Sequence, residues 1–159
     1  MAVNNYNQNR TGNRNNNTRG VNTGRGDNAQ NSTGMLAVQV YIADRAIPIE
    51  GANVIISKQN DAGKEEVLRI LKTNASGITE TVELPAPPAG NSLSPGNSEK
   101  YFTYNIRVDY PGYYTIENLN VPVFAGNKSI QPVAMLPLPD GEERGKRITF
   151  VEEEPQELE

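Results

Sequence analysis

Short runs of β-forming residues, separated by turn residues, recur along the middle of this chain. In the first run Leu36, Val38, Val40 and Ile42 alternate with other residues. This period of two sends every second side chain to one face of a strand, so it predicts strands with one buried face. Gly, Pro and Asn mark the turns between the runs. The runs cover residues 35–42, 52–57, 66–73, 78–84, 101–109, 113–117, 119–124 and 129–136.

This series predicts an all-β fold, namely a seven- or eight-stranded antiparallel β-sandwich. No segment carries a helical stripe of useful length. Residues 85–100 contain four Pro and two Gly and show neither a strand nor a helix period, so we expect a long loop there.

The two ends of the chain differ from the middle in composition. Residues 1–33 contain eleven Asn, and four Arg against one Asp give them a charge of +3. With so few apolar residues they cannot offset the entropy of ordering, so we expect a disordered N-terminal tail. Residues 34–139 are the predicted sandwich domain, with eight basic and ten acidic residues. Residues 140–159 form an acidic tail of charge −5, in which 147–151 is a candidate short strand.

The chain has no Cys and no His, which removes several chemistries. A thiol nucleophile, a Ser-His-Asp triad and a zinc finger all need one of these residues. Glu80 and Glu83 are the nearest candidates for a carboxylate pair, but they point to opposite faces of their predicted strand. From these residues we expect that the chain is not an enzyme and that it uses no cofactor or metal.

Three segments match the pattern of a known family of sandwich modules. Residues 47–54 (IPIEGANV) resemble its P-h-x-G-A-x-V stretch, residues 73–77 (TNASG) its T-(D/N)-x-x-G hairpin, and residues 104–113 (YNIRVDYPGY) its strand and turn. The family is the carboxypeptidase-regulatory-like modules, also called prealbumin-like or transthyretin-like. The resemblance implies a prealbumin-like or immunoglobulin-like sandwich.

A narrower resemblance covers about residues 34–139. Residues 84–88 (LPAPP), 92–96 (SLSPG), 111–113 (PGY) and 133–137 (VAMLP) resemble a domain of clostridial spore-formers. In those proteins, described as spore cortex-lytic or peptidoglycan-binding, the domain commonly precedes a peptidoglycan-binding domain. The resemblance implies a bacterial spore or cell-envelope setting. No such domain follows within these 159 residues, so we do not expect cell-wall hydrolysis.

Five residues of the matching segments are predicted to serve the turns. Gly51 permits the turn that starts the second strand, and Gly77 supplies a left-handed backbone position. Pro111 and Gly112 form a turn after which Tyr113 covers the core.

Other residues are candidates for contacts with a partner. Tyr101, Tyr110 and Tyr114 can stack on sugar faces or lie in an interface. Ile148 and Phe150 belong to the short strand 147–151, which can add to the sheet edge of a neighbouring molecule.

Three functions follow as expectations. The first is a non-catalytic scaffolding or binding module of the spore or cell envelope. The second is a self-assembling fibre or coat subunit that exchanges a terminal strand, and the third is an accessory domain that binds peptidoglycan or another glycan. We expect protein partners or self-association, with peptidoglycan as a further candidate.

Nucleic acid and membrane are not expected as partners. The whole chain is acidic and its four N-terminal Arg have almost no aromatic neighbours, which argues against nucleic acid. No stretch approaches the ~18 apolar residues of a membrane span. Because no apolar signal sequence follows the first Met, we expect synthesis in the cytoplasm of a mother cell and deposition on the spore or envelope.

Overall fold

The structure is a computed structural model that describes residues 32–43, 45–92 and 100–153. The predicted disordered tail lies outside these residues except for Ser32 and Thr33, and the acidic tail lies outside them from residue 154 onward. The strands are β1 (Ser32–Ile42), β2 (Ile47–Pro48), β3 (Asn53–Gln59), β4 (Glu65–Lys72), β5 (Val82–Ala86), β6 (Phe102–Asp109), β7 (Thr115–Val123), β8 (Lys128–Ala134) and β9 (Arg147–Val151). One short helix, α1, covers Ala89–Ser92.

The strands form two sheets packed as a sandwich, which confirms the predicted fold class. The first sheet has the order β2-β1-β5, with β8 also paired to β1. The second sheet has the order β4-β3-β6-β7-β9. Most neighbours are antiparallel, as expected, but β8 runs parallel to β1 and β9 runs parallel to β7. The described strands number nine: the eight runs predicted for the middle of the chain form seven strands, because two of them merge into β7, and β2 and β9 are added.

The core lies between the sheets and is built by the predicted alternation. Leu36, Val38 and Val40 of β1 and Val54 and Ile56 of β3 are fully buried in the same core cluster. The remaining large, fully buried side chains are Tyr104, Ile106 and Val108 of β6, Ile116 and Val123 of β7, Leu84 of β5 and Val133 of β8. Each sheet therefore has one apolar inner face, as its period of two predicts.

Three local predictions differ from the structure. The predicted strand 78–84 is a strand only from Val82 onward, where β5 begins. The runs 113–117 and 119–124 are a single strand, β7, whose pairing with β6 shifts by one residue near Asn120. Asn120 has φ of 62°, and the β-bulge at this point interrupts the alternation of side chains along β7. The interruption is why the sequence predicts two strands here. The predicted loop 85–100 begins with the end of β5 and contains α1. Pro85 is accepted in β5 because that strand lies at the edge of its sheet.

Candidate functional site

The Pro111-Gly112 turn forms one wall of a cleft at the end of the second sheet, which we call the turn cleft. Its volume is about 250 Å³. Its floor comes from the end of β6 and the start of β7, and the segment before β9 closes the other side. The cleft is lined by Asn53, Asp109, Tyr110, Pro111, Gly112, Tyr113, Thr115, Leu138, Arg144 and Gly145.

Asp109 holds the polar end of the turn cleft. Its Oδ1 accepts a hydrogen bond of 2.6 Å from Thr115 Oγ1, and its Oδ2 lies 3.2 Å from Arg107 Nε. The hydroxyl and the guanidinium fix the carboxylate in one orientation, because each holds a different oxygen. Each oxygen keeps a further lone-pair direction for a ligand hydroxyl.

Two aromatic rings hold the apolar end of the same cleft. The centroids of Tyr110 and Tyr113 lie 5.6 Å apart at an angle of 54°. Arg144 adds a cation to the lining. Ring faces beside a fixed carboxylate suit a ligand with one apolar face and several hydroxyl groups.

The three tyrosines predicted as contacts do not share one surface. Tyr110 lines the turn cleft, whereas Tyr101 lies before the other end of β6 and its ring packs 5.2 Å from that of Phe124. Nine residues of extended chain, about 30 Å, separate the two. Tyr114 is half-buried against the core, and its backbone N–H donates to the carbonyl of Leu136.

The predicted turn residues occupy turns. Gly51, Gly77 and Gly112 have φ of 77°, 70° and 86°. Gly112 also accepts a hydrogen bond from the backbone N–H of Leu138, which joins the turn to the segment beyond β8. Tyr113 follows this turn and packs against the core, half-buried. The hydroxyl of Tyr104, on β6, donates a hydrogen bond to the backbone carbonyl of Pro85.

The predicted strand 147–151 is β9, and it pairs with β7 of the same chain. Ile148 lies beside Ile116 and is half-buried, whereas Phe150 lies beside Asn118 and keeps 48% of its surface exposed. Arg147 anchors the start of β9 with an ion pair of 3.0 Å to Glu117 on the outer face.

A second cavity opens between the two sheets beside β9, and we call it the inter-sheet groove. Its volume is about 180 Å³. It is lined by Tyr41, Ile116, Asn118, Pro132, Val133, Ala134 and Phe150. At its rim, Gln131 of β8 donates a hydrogen bond of 3.3 Å to Glu152, which follows β9. The groove is mainly apolar, and Asn118 brings an amide group into it.

Several residues of these sites carried no functional prediction. Asp109 and Thr115 flank the predicted turn at 111–112, so their positions were available from the sequence. Arg144 and Asn118 gave no local signal. Arg144 enters the turn cleft from the segment between β8 and β9. Asn118 meets the other residues of its groove only because the fold brings β1, β8 and β9 close to β7. Lys146, just before β9, forms an ion pair with Glu142. The hydrogen bond within this pair raises the pKa of the lysine above its ordinary value. Within the described part of the chain, no three Asp or Glu side chains come together to hold a metal.

Comparison with known proteins gives similarities to solved structures only. No family model and no curated protein matches the chain. The (S)-allantoin synthase structure has a TM-score of 0.45 at 14% identity, covering 67% of this chain and 42% of that one. Catechol 1,2-dioxygenase of Acinetobacter radioresistens has a TM-score of 0.44 at 14% identity, covering 79% and 60%. GBS52, the minor pilin of Streptococcus agalactiae, has a TM-score of 0.43 at 12% identity, covering 72% and 49%.

These similarities concern the fold alone, and the chain spans less than two thirds of the length of each of these solved chains. They correct one prediction. The expectation that the chain is not an enzyme is contradicted, because a synthase and a dioxygenase are among the similar structures. The missing Cys and His leave chemistry by carboxylates and tyrosines open. At 14% identity neither match assigns an activity to this chain.

No helix within residues 32–43, 45–92 and 100–153 is long and apolar enough to cross a bilayer.

Proposed function

We propose that this chain is a β-sandwich structural or binding module that associates with proteins, including its own copies, by exchanging strand β9. The observation that supports this is the placement of β9 at the edge of the second sheet, with four of its five residues exposed. Strands at sheet edges present unpaired backbone groups and are the usual sites of strand exchange.

Few side chains of β9 are buried, and its contacts with β7 can be re-formed between molecules. Its one half-buried residue is Ile148, and its ion pair joins Arg147 to Glu117. The connection from β8 contains Gly141 and Gly145, both with positive φ, so a hinge there meets no side-chain barrier. When β9 of one copy pairs with β7 of the next, the contacts between the two strands are the same as those within one chain. Exchange of an identical element therefore costs little free energy and links copies into dimers or open chains.

A disulfide between β7 and β9 tests this proposal. Glu117 and Thr149 are neighbours in the strand register, and the chain has no cysteine of its own. We expect the oxidised Glu117→Cys/Thr149→Cys variant to remain monomeric at concentrations where the reduced variant associates, as measured by light scattering and electron microscopy. A matched pair across β1 and β8, Ala37→Cys/Ile130→Cys, leaves β9 untouched.

Two results would contradict exchange of β9. One is equal association of the oxidised and reduced β7–β9 variant. The other is a wild-type protein that stays monomeric at the highest concentration reached.

The proposed setting is the bacterial spore or cell envelope, with synthesis in the mother cell. Support comes from the resemblance of residues 34–139 to the domain of clostridial spore proteins, which also makes peptidoglycan a candidate partner. Fluorescent tagging of the chain in a spore-forming host tests the setting. Signal on the spore or envelope supports it, and an even cytoplasmic signal contradicts it.

A second candidate function is glycan binding in the turn cleft. The observation that favours it is the pairing of the Tyr110 and Tyr113 rings beside the fixed carboxylate of Asp109. Titration with soluble peptidoglycan fragments, followed by tyrosine fluorescence, tests this function. Tyr110→Ala should abolish the change, whereas Tyr101→Ala, about 30 Å away, should leave it intact. An unchanged wild-type signal contradicts the function.

A further inference from the structure

Asn118 is a buried polar residue whose side-chain oxygen has no partner. The residue is 7% exposed, and no group within the described residues donates to its Oδ1. Leaving a buried acceptor unsatisfied costs about 1–3 kcal/mol, so such an atom calls for a missing donor. Because Asn118 lines the inter-sheet groove, a donor inserted into that groove would satisfy it.

The groove has the size and lining for one aromatic ring. Its volume of about 180 Å³ is slightly above the ~150 Å³ of an apolar protein cavity that binds benzene. Ile116, Val133 and Phe150 provide apolar walls. An aromatic ring with a hydroxyl at its tip therefore matches both the walls and the unpartnered amide.

We propose that the inter-sheet groove binds the side chain of Tyr6 from the N-terminal segment of the same chain, with its hydroxyl on Asn118. Tyr6 is the only aromatic residue in residues 1–31. It therefore combines, in a single side chain, the ring and the hydroxyl that the groove requires. This inference goes beyond the proposed function, because it holds whether or not β9 is exchanged.

The length of the segment permits this contact. Between Tyr6 and Ser32 there are 25 residues, which reach up to about 80–90 Å when extended. From Ser32 the first strand runs to Tyr41, which lines the groove, over a distance of about 30 Å. The connection is therefore long enough for the ring to reach the groove of its own chain.

The charges at the groove also suit this segment. Residues 1–31 carry Arg10 and Arg14 soon after Tyr6. Phe150, at the groove, is followed closely by Glu152 and Glu153. A basic segment that leaves the groove along this rim meets opposite charge.

The tyrosine hydroxyl suits either orientation of the Asn118 amide. With Oδ1 towards the groove, the hydroxyl donates to it. If the amide is turned by 180°, the hydroxyl oxygen accepts from Nδ2 instead. A phenylalanine ring would fill the same space and leave the amide unsatisfied.

The experiment uses p-cresol, the analogue of a tyrosine side chain, as the probe in NMR titrations of the full chain. We expect p-cresol to bind the Tyr6→Ala variant and to shift the resonances of Asn118 and Phe150. Binding to the wild-type chain should be at least tenfold weaker, because Tyr6 already occupies the groove. Val21→Ala, which removes another apolar residue from the same segment, should behave as the wild type.

Two further variants test the hydrogen bond. In Tyr6→Ala, p-cresol should bind more tightly than toluene, and Asn118→Leu in the same background should remove that preference. Equal binding of p-cresol to the wild type and Tyr6→Ala, or no binding to either, would overturn the proposal. The proposal would also be overturned if p-cresol bound the wild type as tightly as Tyr6→Ala once the protein was diluted. The ring that occupies the groove would then come from a second copy.

Discussion

The hydroxyl of Tyr104 donates a hydrogen bond of 2.6 Å to the backbone carbonyl of Pro85, and this bond joins the two sheets. Tyr104 lies in β6 of the five-stranded sheet, and Pro85 lies in β5 of the other sheet. The ring of Tyr104 fills the core between them and is 1% exposed. Burial of the phenol raises its pKa above the ordinary value of 10.0, because the charged phenolate loses its hydration.

This raised pKa predicts a loss of stability in alkaline solution. The folded state favours the neutral phenol, so the contribution of Tyr104 is fully present below pH 10.0 and is lost as the pH rises through the folded-state pKa. We expect the urea midpoint of the wild type to fall more steeply above about pH 10 than that of Tyr104→Phe. Parallel pH profiles of the two proteins would contradict the prediction.

The same variant measures the bond between the sheets. Below about pH 9 the phenol is neutral in both states, so Tyr104→Phe removes only the hydrogen bond to Pro85. We expect a loss of about 0.5–1.5 kcal/mol in the free energy of unfolding. A destabilisation above this range would indicate that the ring has also moved.

Thr73 is predicted to be the most sensitive side chain of the turn between β4 and β5. Its Oγ1 donates to the carbonyl of Ile49 at 2.6 Å and accepts from the backbone N–H of Ala52 at 2.9 Å. Thr73→Val keeps the shape and removes both bonds, so we expect a loss of about 2–4 kcal/mol in the free energy of unfolding. Thr73→Ser should recover most of that loss. Urea denaturation measures both, and equal losses in the two variants would contradict the role of the hydroxyl.

Gly77 and Gly51 form a matched pair for testing a close approach of the backbone. Both have positive φ, so an added Cβ costs about 1–2 kcal/mol at either position. At Gly77 that Cβ would also lie 2.5 Å from the carbonyl oxygen of Val40, whereas at Gly51 it meets no atom within 4 Å. We expect Gly77→Ala to be more destabilising than Gly51→Ala by about 1–3 kcal/mol. Thermal unfolding compares the two, and similar midpoints would contradict the close approach.

The sequence predicts the parts of this fold that depend on neighbouring residues. Alternation in β1 places Leu36, Val38 and Val40 in the core, and they are fully buried. The alternation does not predict the parallel pairing of β1 with β8, because that pairing joins residues about ninety positions apart in the sequence. The inter-sheet groove cannot be predicted from neighbouring residues either, because it forms only where β9 lies beside β7 with β8 nearby.

The turn cleft could be predicted in part, because some of its lining residues are neighbours in the sequence. Tyr110 and Tyr113 flank the Pro111-Gly112 turn and were identified from the sequence, and Asp109 is their neighbour. Arg144 joins the cleft from the segment between β8 and β9, over thirty residues further along the chain. No local pattern marks a residue that enters a site by its place in the fold, so Arg144 had no signal.

Strand β9 is predicted to open before the rest of the sheet. Only Ile148 of its residues is half-buried, whereas neighbouring β7 buries Ile116, Val121 and Val123. Local opening is easiest where few apolar contacts resist it. We expect the backbone amides of β9 to exchange with deuterium much faster than those of β6. Ile148→Ala should accelerate β9 exchange further, and Thr149→Ala, on the outer face, should change it little. Equal protection of β9 and β6 would contradict a separately opening strand and would also weaken its proposed exchange between copies.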